Sequence, residues 1–244
     1  MKIYISVDME GIAGVAVAKH VQPDQKEYER FRRLMTQEAN AAVEGALAGG
    51  AREVVVSDGH GPMTNILIED LHRDARLLSG SNRLLCQMEG IDQSFAAVFF
   101  VGYHQREGGG DGILNHTLLG RIVQEIEAER RLQGVLVAPV KEGFDRYAGL
   151  SITPEKAQAM IREQAREAMD TVRAKRVTPY KVAAPVTFEV EFKRTAPARM
   201  ATLFPGVERR GPRTIAVTDS DYVRAFKLTW GCLIVGMASF EGLL

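Results

Sequence analysis

The stretch that decides the fold is KIYISVDMEG, residues Lys2–Gly11. Its first six residues form a β-branched apolar run, which predicts a buried strand. The run passes directly into Asp8 and Glu10, and Gly11 permits a tight turn after them. Because the two acidic residues stand two positions apart, an extended backbone would place both carboxylates on the same side. The opening stretch therefore predicts a strand that ends in a pair of acidic groups.

Two further apolar runs also end near a residue that can bind a metal. The run at Glu53–Val56 is followed by His60, and the run at Ala96–Val101 is followed by His104. Ligands of open α/β sheets bind at the carboxyl ends of the strands. If these strands are neighbours, Asp8, His60 and His104 lie in one site. Carboxylate and imidazole ligands without a thiolate suit zinc, and also manganese or iron.

The remaining pattern alternates helices with short strands. It predicts helices over Gln25–Leu47, Arg121–Arg131, Thr153–Arg173 and from Thr218–Asp221 to about Phe240, and strands over Ile113–Leu119, Val186–Phe192 and Ile215–Thr218, with a further apolar run at Val135–Val140. We therefore predict an α/β fold with a mostly parallel central sheet flanked by helices and a smaller α+β C-terminal part. Residues 1–178 would form the metal-binding catalytic domain, and residues 179–244 an α+β segment packed as part of the same unit.

The composition excludes several classes of protein and partner. Lys and Arg number 31 and Asp and Glu number 31 among the 244 residues, so the basic excess typical of nucleic-acid-binding proteins is absent. Cys86 and Cys232 supply neither a disulfide framework nor a four-thiolate zinc site. The start of the chain has no secretory pattern, and no apolar run approaches the ~20 residues that span a bilayer. We therefore predict a soluble cytoplasmic protein that binds neither nucleic acid nor membrane.

Other polar residues and one glycine-rich stretch are weaker candidates for a catalytic or binding role. His116 could serve as a general base, an electrophile or a nucleophile. The glycine-rich stretch Gly108–Gly112 lacks the Lys-Ser/Thr of a phosphate-binding loop, which favours a mobile lid or a connector. Ser57 and Asp58 lack the G-x-S-x-G context of a serine hydrolase and so do not indicate that chemistry. His20 and His72 lie away from any strand end, and we assign them no role in the site.

Taken together, these residues resemble the D-aminopeptidase family of zinc peptidases. The combination of motifs is far more specific than any one of them. The matching stretches cover nearly the whole chain and are Ser6–Val15 (SVDMEGIAGV), Met35–Asn40 (MTQEAN), Val56–Asn65 (VSDGHGPMTN), Met88–Asp92 (MEGID), Val101–His104 (VGYH), Asn115–Thr117 (NHT) and Pro139–Gly143 (PVKEG).

The resemblance implies a centre of two zinc ions. Asp8 would bridge the ions, Glu10 and His60 would complete the first site, and His104 would bind the second. His116 matches the histidine proposed to act in catalysis. The family cleaves the N-terminal D-amino acid from short peptides such as D-Ala-D-Ala. Its members form ring-like homo-oligomers of ten subunits, with the active sites facing an inner channel.

The chain departs from the family at the second zinc site. Family members carry a further glutamate ligand beyond the His116 region, in a segment that continues into a helix and a strand. Here the sequence passes directly to residues that match positions well downstream, so roughly 30 residues, about one β-α step, are missing. Either the protein has lost this unit, or a stretch of the natural chain is absent from this sequence. Glu125, Glu127 and Glu129 lie nearby, but their helical context favours a solvent-exposed face.

The residue patterns together with the family resemblance suggest three hypotheses about function. The leading hypothesis is a metal-dependent D-aminopeptidase in which His116 assists proton transfer or stabilises the tetrahedral intermediate. The second is a ring-forming scaffold or peptide-binding protein that keeps one metal and has lost catalysis, because of the missing segment. The third is a hydrolase that uses the same site on another amide, such as a peptidoglycan stem peptide.

Overall fold

The computed structural model describes residues 1–105, 112–116, 134–178 and 181–238. The chain forms two compact units. The first comprises Met1–Ser81 and Cys86–Tyr180, and the second comprises Asn82–Leu85 and Lys181–Leu244. Among the described residues, no helix combines the length and the apolar character that crossing a membrane requires.

A parallel sheet of four strands forms the centre of the first unit. Its spatial order is β3-β2-β1-β4, and every neighbouring pair is parallel. The strands are β1 (Lys2–Val7), β2 (Glu53–Asp58), β3 (Ala75–Leu78) and β4 (Ala97–Val101). Val7 at the end of β1 is in register with Asp58 and with Val101. The carboxyl ends of β1, β2 and β4 therefore meet at one edge, and the predicted α/β fold with a mostly parallel sheet is confirmed.

Two long helices pack against each other in this unit. They are α1 (Tyr28–Ala48) and α2 (Pro154–Arg173). A Cβ atom on Gly45 would overlap the Arg162 carbonyl oxygen, so glycine allows the two helix backbones to approach closely. Arg162 Nε donates to Glu44 Oε2 at 2.5 Å. The predicted start of α2 is confirmed, because the Thr153 side chain accepts from Lys156 N–H at 3.4 Å.

A hairpin completes the described part of the first unit. Its strands are β5 (Lys141–Asp145) and β6 (Ala148–Ser151). The preceding apolar run Val135–Val140 forms no strand. Ile113 and Leu114 lie in a turn, so the strand predicted to begin there is wrong at its start; both side chains are buried in the core instead. The rest of that strand and the predicted helix Arg121–Arg131 lie outside the described residues.

The second unit is an antiparallel sheet with helices. Its strand order is β7-β9-β8, with β7 (Val186–Glu191), β8 (Val207–Arg209) and β9 (Thr214–Asp219). The helices are α3 (Thr195–Ala201) and α4 (Tyr222–Ala238). The predicted capping stretch is confirmed at Asp221, whose Oδ1 accepts from Val223 N–H at 2.8 Å and from Arg224 N–H at 3.1 Å. The end of the helix predicted near Phe240 lies outside the described residues.

Candidate metal centre

The loop that follows β1 packs directly on the loop that follows β4. Asp8 N–H donates to the Val101 carbonyl at 2.8 Å, and Gly11 N–H donates to the Gly102 carbonyl at 2.6 Å. Gly102 has a φ of 68°, and a Cβ atom there would overlap the Asp8 carbonyl oxygen. Glycine is therefore required for this approach. The two loops carry Asp8 and His104 to the same place.

The loop that follows β2 is fixed by Asp58 and Asn65. Asp58 Oδ2 accepts from Asn65 N–H at 2.5 Å and from Ile66 N–H at 2.7 Å. Asn65 Nδ2 donates to the His60 carbonyl at 2.6 Å, and Tyr28 Oη donates to Asn65 Oδ1. These bonds hold the residues that follow His60 against Asp58, the last residue of β2. They hold the His60 backbone against the end of the strand.

Both carboxylates face His60 from buried positions. Asp8 is 3% exposed and Glu10 is 1% exposed. His60 Nδ1 lies 2.9 Å from Glu10 Oε2 and 3.3 Å from Asp8 Oδ1. Asp8, Glu10 and His60 thus form one group whose ligand atoms all lie within 4.8 Å of one another.

The other two histidines face the opposite oxygens of the same carboxylates. His104 Nε2 lies 3.5 Å from Asp8 Oδ2, and His116 Nε2 lies 3.6 Å from Glu10 Oε1. The two imidazole rings stack with their centroids 4.3 Å apart. Glu10, His104 and His116 form a second group of possible metal ligands, which shares Glu10 with the first.

Each histidine uses its other ring nitrogen to donate to a main-chain carbonyl. His60 Nε2 donates to Val21 at 2.8 Å, His104 Nδ1 to Gln105 at 2.8 Å, and His116 Nδ1 to Leu114 at 2.6 Å. A carbonyl oxygen can only accept, so these bonds fix the tautomers. In the neutral ring, the nitrogen that faces the carboxylates then carries a lone pair. Metal-binding histidines commonly show this arrangement.

The electrostatics of the first group favour a bound cation. Burial, and then the charge of Glu10, raise the pKa of Asp8. Burial alone would raise the pKa of Glu10, but the hydrogen bond and charge of His60 lower it to about 2. Burial alone would lower the pKa of His60, but the hydrogen bonds and charges of the two carboxylates raise it to about 11. Two adjacent buried carboxylates therefore favour either a proton within the group or a metal ion between the three side chains.

The spacing of the donor atoms fits zinc. Ligand atoms on a tetrahedral zinc ion, with bonds of about 2.0–2.1 Å, lie about 3.3 Å apart. The four nitrogen–oxygen distances given above run from 2.9 to 3.6 Å and bracket that value. The donor set of imidazole nitrogens and carboxylate oxygens is also the one that zinc prefers without thiolates. The residues at this edge of the sheet therefore have the spacing and the donor types of a zinc centre.

The structure brings together all five residues singled out in the sequence: Asp8, Glu10, His60, His104 and His116. His20 and His72 lie outside both groups, and the nearby glutamates Glu125, Glu127 and Glu129 lie outside the described residues, as does most of Gly108–Gly112. The supporting residues Asp58, Asn65, Glu38 and Lys141 were not predicted. Their only signal was membership of the matching motifs. Asp58 and Asn65 are partners within one loop, whereas the partners of Glu38 and Lys141 are distant along the chain.

Known proteins that are similar to this chain are D-aminopeptidases. The Peptidase_M55 family model, described as D-aminopeptidase, matches residues 1–129 and 125–230. A D-aminopeptidase of Bacillus subtilis (strain 168) is 30% identical over 262 residues, covering 93% of this chain and 94% of that protein. The solved structure of "Zn-dependent D-aminopeptidase DppA from Bacillus subtilis, a self-compartmentalizing protease" has a TM-score of 0.88 at 29% identity, covering 97% of this chain and 98% of that one.

The same comparisons bear on the missing segment. The two matched segments of the family model meet at residues 125–129, where the sequence departs from the family pattern. The alignment with the curated relative is 262 residues long, whereas this chain has 244, so that relative carries residues which this chain lacks. Fold and sequence nevertheless match along almost the whole chain, and the resemblance is confirmed: the chain belongs to the D-aminopeptidase family of peptidases.

Proposed function

We propose that the protein is a zinc-dependent aminopeptidase that removes the N-terminal D-amino acid from short peptides such as D-Ala-D-Ala. The observation that carries the proposal is the buried cluster at the carboxyl edge of the sheet, in which Asp8 faces His60 with one carboxylate oxygen and His104 with the other. The chain's membership of the D-aminopeptidase family supports the same reaction.

The centre would hold two zinc ions. Asp8 is suited to bridge them, because its Oδ1 faces His60 and its Oδ2 faces His104. Glu10 and His60 complete the first site, and His104 binds in the second. When bound, zinc supplies Lewis-acid activation of a water molecule and of the scissile carbonyl. The strand ends keep the ligands at their spacing, since Asp8 is tied to β4 by its main-chain N–H.

His116 would handle protons beside this centre. Its Nδ1–H is held by the Leu114 carbonyl, so its Nε2 is the basic atom. The side chain is 51% exposed, unlike that of Glu10, which leaves one face open to a substrate. Nε2 can accept a proton during attack on the peptide carbonyl and return it to the leaving amine. Alternatively, the protonated ring can stabilise the charge of the tetrahedral intermediate.

A second candidate function is a ring-forming scaffold or peptide-binding protein that keeps one metal. The observation that favours it is the division of the family match into two segments that overlap at residues 125–129. By the family resemblance, the stretch missing there would carry the further glutamate ligand. The second zinc would then have Asp8 and His104 without that ligand, and its affinity would be lower. Metal content separates the two functions: two equivalents per chain support the peptidase, and one or none supports the scaffold.

The proposal is tested by hydrolysis of D-Ala-D-Ala with purified, zinc-loaded protein. We expect activity that a chelator abolishes and added zinc restores, with L-Ala-L-Ala as the control substrate. Absence of turnover by fully loaded protein would overturn the proposal. A panel that includes peptidoglycan stem peptides would test the third hypothesis, another amide as the natural substrate.

Two further properties belong to this proposal. The family resemblance and the self-compartmentalizing description of the structural neighbour support a ring-like homo-oligomer, for which we propose ten subunits. We also propose that the protein is cytoplasmic. Light scattering after size-exclusion chromatography would measure the subunit number, and a monomer would contradict the ring.

A further inference from the structure

The loop that carries both acidic ligands, Asp8–Val15, is held by side chains from distant parts of the chain. Its main-chain N–H and carbonyl groups contact α1, β5 and β6 in addition to the end of β4. Three side chains make these contacts: Glu38 on α1, Lys141 at the start of β5, and Ser151 at the end of β6. We call these three residues the loop clamp.

Lys141 binds the loop at two places. Its Nζ donates to the main-chain carbonyl of Glu10 and, at 2.8 Å, to that of Val15. These carbonyls lie five residues apart along the loop, so one ammonium group fixes both the ligand residue and the end of the loop. Loss of this side chain would leave the Glu10 carbonyl without the donor that it has here.

Ser151 acts beside Lys141 on the same hairpin. The two residues are cross-strand partners, and Ser151 Oγ accepts from Gly14 N–H at 2.8 Å. The hairpin therefore contacts the loop through neighbouring side chains that satisfy one donor and two acceptors. One residue of each hairpin strand therefore bonds the loop, Lys141 from β5 and Ser151 from β6.

Glu38 holds the loop from the helix. It is 1% exposed, and its Oε1 accepts from Ala13 N–H at 2.8 Å. Its Oε2 is buried without a hydrogen-bond partner in the part of the chain that the structure describes. Glu38 also interacts electrostatically with Lys141. A carboxylate is costly to bury, so its presence here indicates a role in fixing the Ala13 backbone.

From these contacts we propose that Lys141, Ser151 and Glu38 are positioning residues for the metal centre. They hold the loop so that the carboxylates of Asp8 and Glu10 stand at zinc-binding distances from the histidines. The inference rests on the proposed function, because it assumes that these carboxylates bind zinc. It adds that zinc affinity depends on residues that touch neither zinc nor substrate. Residues that orient metal ligands typically change metal affinity by about 10–100-fold when they are replaced.

The test is the zinc dissociation constant of variants, measured by competition with a chelating dye in the absence of substrate. We expect Lys141→Met to raise the constant by about tenfold or more. Ser151→Ala, which removes one hydrogen bond to the loop, should raise it by a smaller factor. Lys156→Met, at an exposed site on α2, should leave it unchanged. Glu38→Gln keeps an acceptor for Ala13 N–H and should change the constant little, whereas Glu38→Leu removes the acceptor and should raise it.

A second readout separates positioning from general stability. The thermal midpoint of each variant is measured without metal, and the visible spectrum is recorded with cobalt in place of zinc. An altered cobalt spectrum and a weaker dissociation constant support the proposal. A lowered midpoint with an unchanged dissociation constant in Lys141→Met would overturn it. If Lys141→Met fails to fold, Ser151→Ala decides by the same criterion. Wild-type protein that binds no zinc would instead refute the proposed function.

Discussion

The imidazole of His60 and the carboxylate of Glu10 are in direct contact, with Nδ1 2.9 Å from Oε2. The other His60 nitrogen donates to the Val21 carbonyl, so the ring is fixed from both sides. Glu10 in turn is fixed through its main-chain carbonyl by Lys141. The backbone of the fold therefore fixes the positions of both side chains, and their spacing fits two ligands of one metal ion.

His60→Ala should remove one of two zinc equivalents. The variant leaves Asp8 and Glu10 buried without their nearest imidazole, so the first site loses its only nitrogen ligand. Elemental analysis should find about one equivalent per chain, retained at His104. His72→Ala, which alters a histidine outside both groups, is the matched control and should keep two. Two equivalents in His60→Ala would contradict the assignment of this ligand.

His116→Ala should keep both zinc equivalents but lose activity. Removal of a general acid–base group lowers the rate by about 10²–10⁴-fold. The turnover number on D-Ala-D-Ala and the zinc content are measured on the same sample. If zinc is lost together with activity, His116 is a ligand in the group that it forms with Glu10 and His104, and its proposed catalytic role is wrong.

Gly102→Ala should destabilise the fold more than Gly80→Ala does. Both glycines have positive φ, 68° and 98°, so alanine costs about 1–2 kcal/mol at either position. At Gly102 the added Cβ also overlaps the Asp8 carbonyl oxygen, whereas at Gly80 no atom of the described residues lies within 4 Å of it. We expect a total loss of about 3 kcal/mol or more at Gly102, measured by urea denaturation. Equal losses would show that the two loops do not pack as described.

Glu38 should make the free energy of unfolding depend on pH. Burial raises the pKa of Glu38 to about 7, against the ordinary 4.5, although the Ala13 N–H and Lys141 oppose the shift. Between these two values the folded state keeps a proton that the unfolded state releases, so stability falls as pH rises. Relative to Glu38→Gln, the wild type should lose at most about 3 kcal/mol between pH 4.5 and pH 8. Urea denaturation of metal-free protein measures this, and a constant difference would contradict it.

The sequence predicts those parts of the fold that depend on local pattern. The runs that form β1, β2 and β4 are apolar and are followed by site residues. Both the strands and the location of the site at their carboxyl ends could therefore be inferred. Strand β3 was missed because Ala75–Leu78 is short and no residue in it is fully buried. Helix α3 was missed because it has only seven residues and contains Pro197.

The residues of the candidate centre were predictable for the same reason. The side chains that hold the loop Asp8–Val15 in place were not. Ligands at the ends of parallel strands meet wherever the strands are neighbours. The contacts of Lys141 with Glu10 and of Glu38 with Ala13 join residues 131 and 25 positions apart. No local periodicity records such contacts, because they arise only when the hairpin and helix pack against the loop.

The most direct test of the account is the zinc content of the purified protein, measured together with D-Ala-D-Ala turnover on the same sample. An intact-mass measurement should accompany it to verify the chain of 244 residues. We predict two equivalents of zinc per chain and hydrolysis that stops when a chelator removes the metal. A protein that holds two equivalents and does not hydrolyse the dipeptide would contradict this prediction.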